Sequence, residues 1–274
     1  MLLEPGTVAL VTGASKGIGA ACAIDLAAEG ATVVVNYHGD AQGAAQTVAT
    51  IEAAGGRAVA IQADVADEAA VKDMFARVRR EFGRLDVLVN NAGRSIDKAM
   101  PMLSRDDFEN VMATNATGVF LCCREAARLM SMAGRGSIVN ISSISTHGGP
   151  VVSNYAASKA AVTAFSKSIA AELAIRNVRV NVVSPGYVET KLTSVMHPSA
   201  RRVVLDRTAL NRSARPEEIA HVVTFLASDK ASFITGAVID ADGGASIGQV
   251  ISPGRARNEG LDDDRSGPRA ARGA

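Results

Sequence analysis

The chain has almost no net charge: 29 Lys and Arg stand against 28 Asp and Glu over 274 residues. That balance argues against a surface dedicated to nucleic acid. No stretch approaches about eighteen consecutive apolar residues, so no membrane span is expected. The opening Met1-Leu2-Leu3-Glu4-Pro5-Gly6 lacks both the basic segment and the long apolar run of a secretory leader. Cysteine is scarce. Cys22, Cys122 and Cys123 make no C-x-x-C pair, and an odd number is a poor disulfide framework, so a reducing cytoplasm is expected. His38, His147, His197 and His221 show no H-x-x-x-H spacing, so no metal site is expected.

What is there is apolar and alternating. Hydrophobic residues make up 47% of the chain, enough for a substantial core. Short β-branched runs at 7–12, 31–36, 58–62, 87–90, 137–141, 178–183 and 238–240 read as strands. Between them, Ala-rich stretches at 17–29, 41–54, 68–82, 155–175 and 216–228, with further helical patterns through 132, read as helices. The strands are nearly all apolar rather than alternating, as expected when both faces are covered. This βαβ series predicts an α/β fold: a doubly wound, Rossmann-like parallel sheet of about seven strands in a single domain, 1–246, with right-handed crossovers. From 247 the chain turns rich in Gly, Arg, Pro and Asp, and beyond about 252 it is expected to be a disordered tail.

The first strand runs into Thr12-Gly13-Ala14-Ser15-Lys16-Gly17-Ile18-Gly19 and then a helix. Glycines allow a tight turn and close backbone approach, and a helix N-terminus presents free N–H groups to a pyrophosphate. This G-x-x-x-G-x-G spacing is a relative of the dinucleotide fingerprint. The same residues also satisfy G-x-S-x-G, the strand-to-helix elbow of hydrolases, which would make Ser15 a nucleophile. That reading needs an acid and a histidine later in the chain, and no histidine stands in a context that marks it. The second strand ends at Asn36-Tyr37-His38 with no acid until Asp40, where an acid would bind a ribose 2′-OH. Lys16 in the turn could face a 2′-phosphate, so the pattern leans toward NADP (NADPH) over NAD. Asp64-Val65 after the third strand could reach the adenine edge or cap the next helix.

At the carboxyl edge of the fourth strand stand Asn90-Asn91-Ala92-Gly93, where open sheets bind ligands. Asn115 interrupts a helical pattern, which is mildly unfavourable and invites a reason such as a held water. The fifth strand ends at Ile141-Ser142-Ser143, whose hydroxyls could polarise a carbonyl. Then comes Ser153-Asn154-Tyr155-Ala156-Ala157-Ser158-Lys159. On a helix, Tyr155 and Lys159 share one face, and a nearby ammonium would lower the phenol pKa toward the working pH. That would make a general acid/base.

In their order and spacing, T-G-A-S-K-G-I-G, D-V, N-N-A-G, N-A-T-G, I-S-S, Y-A-A-S-K and P-G-Y-V-E-T resemble the short-chain dehydrogenase/reductase family over about 5–245. The whole pattern, with N-Y after the second strand and D-A-D-G-G near the end, is similar to 3-oxoacyl-thioester (acyl-carrier-protein) reductases and related NADPH carbonyl reductases. The resemblance implies a catalytic set of Asn115, Ser143, Tyr155 and Lys159, with Ser142 as the minority choice for the serine. It implies hydride transfer to a carbonyl carbon, with Tyr155 as proton donor. Lys159 would bind the nicotinamide ribose and lower the Tyr155 pKa, and Asn115 would hold a water. It also implies that Gly13, Ser15, Lys16, Gly17, Ile18, Gly19, Asn36, Tyr37, His38, Asp64, Val65, Asn91, Ala92 and Gly93 surround the cofactor. Pro185, Gly186, Val188 and Thr190 would grip the carboxamide.

Residues 189–212 are expected, by the same resemblance, to form a lid, with Met196, Val203, Val204 and Leu205 as candidate pocket residues. Arg201, Arg202, Arg207 and Arg212 would either attract an anionic, carrier-bound substrate or form a solvated face. Alanines on several sides of the 155–175 helix predict tight helix contacts and hence a homodimer or homotetramer. Alcohol, sugar or steroid oxidation, and a non-catalytic NADP sensor, stay open as alternatives.

Overall fold

The computed structural model describes residues 1–190 and 198–247. Seven strands form one sheet: β1 (Val8–Val11), β2 (Thr32–Tyr37), β3 (Arg57–Gln62), β4 (Val87–Asn90), β5 (Gly136–Ile141), β6 (Val178–Pro185) and β7 (Val238–Ala241). Their spatial order is β3-β2-β1-β4-β5-β6-β7, and every pairing is parallel. The order reverses between β1 and β4, and this opens a crevice at the carboxyl edge.

The run Val8-Ala9-Leu10-Val11 shows why the strands read as continuously apolar. Ala9 and Val11 point into one core with α1 (Gly17–Ala28), α2 (Ala41–Ala53) and α8 (Pro216–Ala227). Val8 and Leu10 point into the other, with α3 (Glu68–Phe82), α5 (Gly118–Ala133) and α6 (Ser153–Leu173). Leu10, Leu26, Leu88, Ile138 and Leu226 are fully buried, each contributing about 1.5–3 kcal/mol of transfer free energy. The helix stops follow the sequence. Asp67 accepts from the Ala69 and Ala70 amides at the start of α3, and Gly83 ends that helix in the left-handed region at φ 72°.

Two further helices complete the described fold, α4 (Arg105–Met112) and α7 (Pro198–Arg207). Between α4 and α5, residues Ala113–Thr117 form a widened π turn, a feature often found where a helix serves a site. The expected lid falls partly on α7; Met196 lies outside the described residues, as does the expected tail. No helix among the described residues is long and apolar enough to cross a membrane.

Candidate active site

The β1–α1 turn is built by Thr12 and Asn91. The Thr12 hydroxyl accepts from the amides of Asn91 and Ala92 at 3.0 and 3.1 Å. Asn91 Nδ2 donates back to the carbonyls of Thr12 and Gly13 at 3.0 and 3.1 Å. Two glycines make this approach feasible. A Cβ on Gly13 would lie 2.8 Å from Ala92 Cα, and one on Gly19 would lie 2.3 Å from Asn91 Nδ2. No side chain caps the start of α1, so its first N–H groups are left for a ligand.

The turn opens into a cleft of about 590 Å³ running along the carboxyl edge, within the range of small-ligand sites. Its walls include Gly13, Ser15, Lys16, Gly17 and Ile18 at one end, and Ser143, Tyr155 and Lys159 at the other. Asn36, Tyr37, His38, Asp64, Val65, Asn91, Ala92, Gly93, Pro185, Gly186, Val188 and Thr190 line it between. Of the expected catalytic and cofactor-binding residues, Gly19 and Asn115 stand behind the wall. Gly19 serves the close packing just described. The cleft therefore fits a dinucleotide in shape and in its open helix terminus. Arg94, Thr114 and Ile141 also line it and were not expected from the sequence. Arg94 directly follows N-N-A-G, and that position could have marked it.

The two serines separate. Ser142 is 2% exposed, and its hydroxyl donates to the Lys159 carbonyl at 3.0 Å and meets Thr163. Ser143 lines the cleft beside Tyr155 and acts on its phenol, while its hydroxyl donates to Ser145 Oγ and accepts from the Ser145 amide, both at 3.1 Å. Lys159 is 3% exposed, and its Nζ donates to the Ile141 carbonyl at 2.7 Å. Burial with a single protein acceptor among the described residues pushes this amine down to about 8.

The surroundings of the phenol oppose the expected depression: burial raises Tyr155 above its ordinary value, Ser143 lowers it, and Asp97 raises it. Lys159 Nζ sits 5.7 Å from the centroid of the Tyr155 ring and is aimed at Ile141, so it does not depress the phenol in this arrangement.

Asn115 is fully buried in the π turn. Its Oδ1 accepts from the Arg94 amide, and its Nδ2 donates to the Arg94 carbonyl and to Ser158 Oγ, at 2.9, 2.9 and 3.0 Å. Both amide hydrogens are spent, so its side chain could hold a water only through the remaining lone pair of Oδ1.

The far end also differs from expectation. Asn36 faces inward, accepting from the Gly13 amide and donating to the carbonyls of Ile61 and Ala63. Lys16 is paired with Asp40 at 3.5 Å, and His38 lies 3.1 Å from Asp64. The Asp40 carboxyl is held below its usual range, first by the Gly43 amide and then by Lys16. Lys16 is thus a half-neutralised cation, which weakens the electrostatic case for a 2′-phosphate. Ser15 bonds Asp40, and among the described residues no histidine hydrogen-bonds it, so the hydrolase constellation lacks a base. Arg201 pairs with Glu189 and Arg212 with Glu218, as expected of a solvated face. Val203 is 52% exposed and lies outside the cleft.

Comparisons with known proteins converge on this architecture. The family model described as enoyl-(acyl carrier protein) reductase matches residues 13–246. A 3-oxoacyl-[acyl-carrier-protein] reductase of Staphylococcus aureus is 43% identical over 237 residues, 86% of this chain and 96% of that protein. One from Synechocystis sp. is 44% identical over 239 residues, again 86% and 96%. A solved structure from Sinorhizobium meliloti 1021, described provisionally as a short-chain alcohol dehydrogenase, superposes with a TM-score of 0.85 at 37% identity, covering 89% of this chain and 98% of that one. With the family model spanning most of the sequence and these relatives matched nearly end to end, the chain belongs to the short-chain dehydrogenase/reductase family of oxidoreductases.

Proposed function

We propose that the protein is an NADP-dependent reductase that converts a ketone, such as a 3-oxoacyl thioester, to a secondary alcohol. The observation that carries the reading is that Ser143, Tyr155 and the buried Lys159 line the same end of the cleft. Two hydroxyls converging on one point suit an oxygen that gains charge, as a carbonyl oxygen does on reduction.

The chemistry a reduced nicotinamide would supply in this cleft is a hydride for the carbonyl carbon. Tyr155 gives its proton to the carbonyl oxygen as the C–O π bond breaks, and Ser143 donates a hydrogen bond to the same oxygen. Because burial keeps the phenol protonated at neutral pH, Tyr155 is an acid in its resting state, which favours the reductive direction. Lys159 would hold the ribose hydroxyls with its buried ammonium, and the open start of α1 would hold the pyrophosphate. The preference for NADP rests on Lys16 and on the lack of an acid at 36–38, and Asp40 opposes it. Arg94, exposed at the cleft and with no carboxylate within 4.0 Å among the described residues, suits an anionic, carrier-bound substrate.

A homo-oligomer belongs to the same reading. Ala157, Ala160, Ala164 and Ala171 of α6 are exposed at helical spacing beside Phe120, which is 42% exposed. A second copy of the chain is the occupant this small-residue face suits, and elution as a 28.2 kDa monomer would contradict it.

The test is absorbance at the nicotinamide band with NADPH or NADH against 3-oxoacyl thioesters, quinones, ketosteroids and sugars. Tyr155→Phe should lose roughly 10²–10⁴ in kcat while still binding nucleotide. Normal turnover in that variant would end the proposal.

A further inference from the structure

We propose that Asn154 is a positioning residue for this reaction, tying the loop that leaves β4 to the backbone that carries Tyr155. The inference rests on the reading above, in that Tyr155 is taken as the proton donor.

Asn154 is 0% exposed, and both polar atoms of its amide are bonded. Nδ2 donates to the Ile96 carbonyl at 3.0 Å, and Oδ1 accepts from the Tyr155 amide at 2.7 Å. The Tyr155 amide lies in the first turn of α6, where backbone N–H groups have no intrahelical partner, and no side chain caps that helix from Val152. Asn154 therefore fills a vacancy at the helix start and spends its other end on the loop. An amide can donate to one group while it accepts from the other.

Two more ties run the same way. The Lys98 amide donates to the Val151 carbonyl at 2.9 Å. Val151 has φ 61°, a conformation a β-branched residue avoids unless its surroundings impose it. On the far side, Asn115 joins Arg94 to Ser158, and Ser158 Oγ donates to the Tyr155 carbonyl at 2.7 Å. The loop 94–98 is thus fastened to both the N–H and the C=O of Tyr155. It carries Arg94, which lines the cleft, and Asp97, whose charge acts on the phenol. Among the described residues the groups facing Tyr155 are Asp97 from this loop, Ser143 from the end of β5 and Lys159 from α6 itself. With Asn154 in place, the wall and the phenol hold one geometry. Without it, Asp97 is released from its station and Tyr155 loses one of its two backbone anchors.

The experiment is the pH profile of ketone reduction for the wild type, Asn154→Ala, Asp97→Asn and the double variant, with Tyr155→Phe as control. We expect Asn154→Ala to lower kcat at least tenfold with the KM for nucleotide within twofold. Its basic limb should move to lower pH, as in Asp97→Asn, and the double variant should move no further than Asn154→Ala. An unmoved limb, or two shifts that add, overturns the proposal, even where the thermal midpoint falls. Should Asn154→Ala fail to fold, Asn154→Asp decides: it has nearly the same shape and keeps the acceptor for Tyr155, but has no donor for Ile96. A tenfold loss of kcat there supports the tie, and wild-type kcat overturns it. Full activity in Tyr155→Phe would instead sink the underlying reading, whatever the Asn154 variants do.

Discussion

Replacing Lys159 with Met should make the protein more stable at pH 7 while abolishing its activity. The amine is 3% exposed and its folded-state value is about 8, against an ordinary 10.5. A displacement of that size corresponds to about 3 kcal/mol of differential cost for holding the charged form in the fold. The sign follows from proton counting. Between about pH 8 and 10.5 the unfolded chain binds more protons at this site than the native one, so stability rises with pH across that window. Below about 8 both states are charged, and the whole deficit is present. Methionine has nearly the same length and no charge, so the variant escapes the deficit. It leaves the Ile141 carbonyl without its donor, which returns about 1 kcal/mol of destabilisation. The net expectation is a gain of about 2 kcal/mol at pH 7, shrinking toward zero or below by pH 10. The assay is urea denaturation of the nucleotide-free protein at several pH values, comparing midpoints at constant slope. A variant less stable than the wild type at pH 7, or a difference independent of pH, would refute the reasoning. Confirmation would show that the fold retains a destabilising buried cation where a ligand's hydroxyls are to sit.

Four further outcomes are expected. Ser143→Ala should cut kcat by roughly 10²-fold or more, whereas Ser142→Ala should stay within a few-fold in rate and lose about 1 kcal/mol of stability in the same denaturation assay. Gly19→Ala should lose nucleotide affinity at least tenfold by fluorescence titration, because its Cβ would sit 2.4 Å from the Gly13 carbonyl oxygen. Asp40→Asn should raise the ratio of kcat/KM for NADPH over NADH by roughly fivefold, the scale of one exposed charge, and Lys16→Ala should lower it. Since the Tyr155 phenol is raised by burial, reduction should hold its rate through neutral pH and fall only above the usual phenol range, while alcohol oxidation should climb with pH across that span.

How much of this was legible in the residues depends on the distance over which each signal acts. The strands were readable because a strand covered on both faces must be apolar at every position, as Val33, Val34 and Val35 are. The 68–82 helix was readable to the residue because Asp67 and Gly83 act locally on its ends. The glycine turn was readable because few side chains would fit where Gly13 and Gly19 lie. Charge partners were not readable. Lys16 meets Asp40 only once the β1–α1 turn folds over the start of α2, and His38 meets Asp64 only once β2 and β3 pair. Where Lys159 ends was unreadable for a related reason. Spacing of four places Lys159 on the same face as Tyr155, but it says nothing about where a flexible stem ends. The ammonium donates to the Ile141 carbonyl, brought in by a strand 18 residues earlier. Asn154, next to Tyr155 in the sequence, carries no periodic or motif signal, since its partner Ile96 is 58 residues away. Shape and burial are written in short stretches of chain, whereas the electrostatics of a site are written in who meets whom. A buried amide that joins distant backbones therefore becomes visible only when the fold is complete.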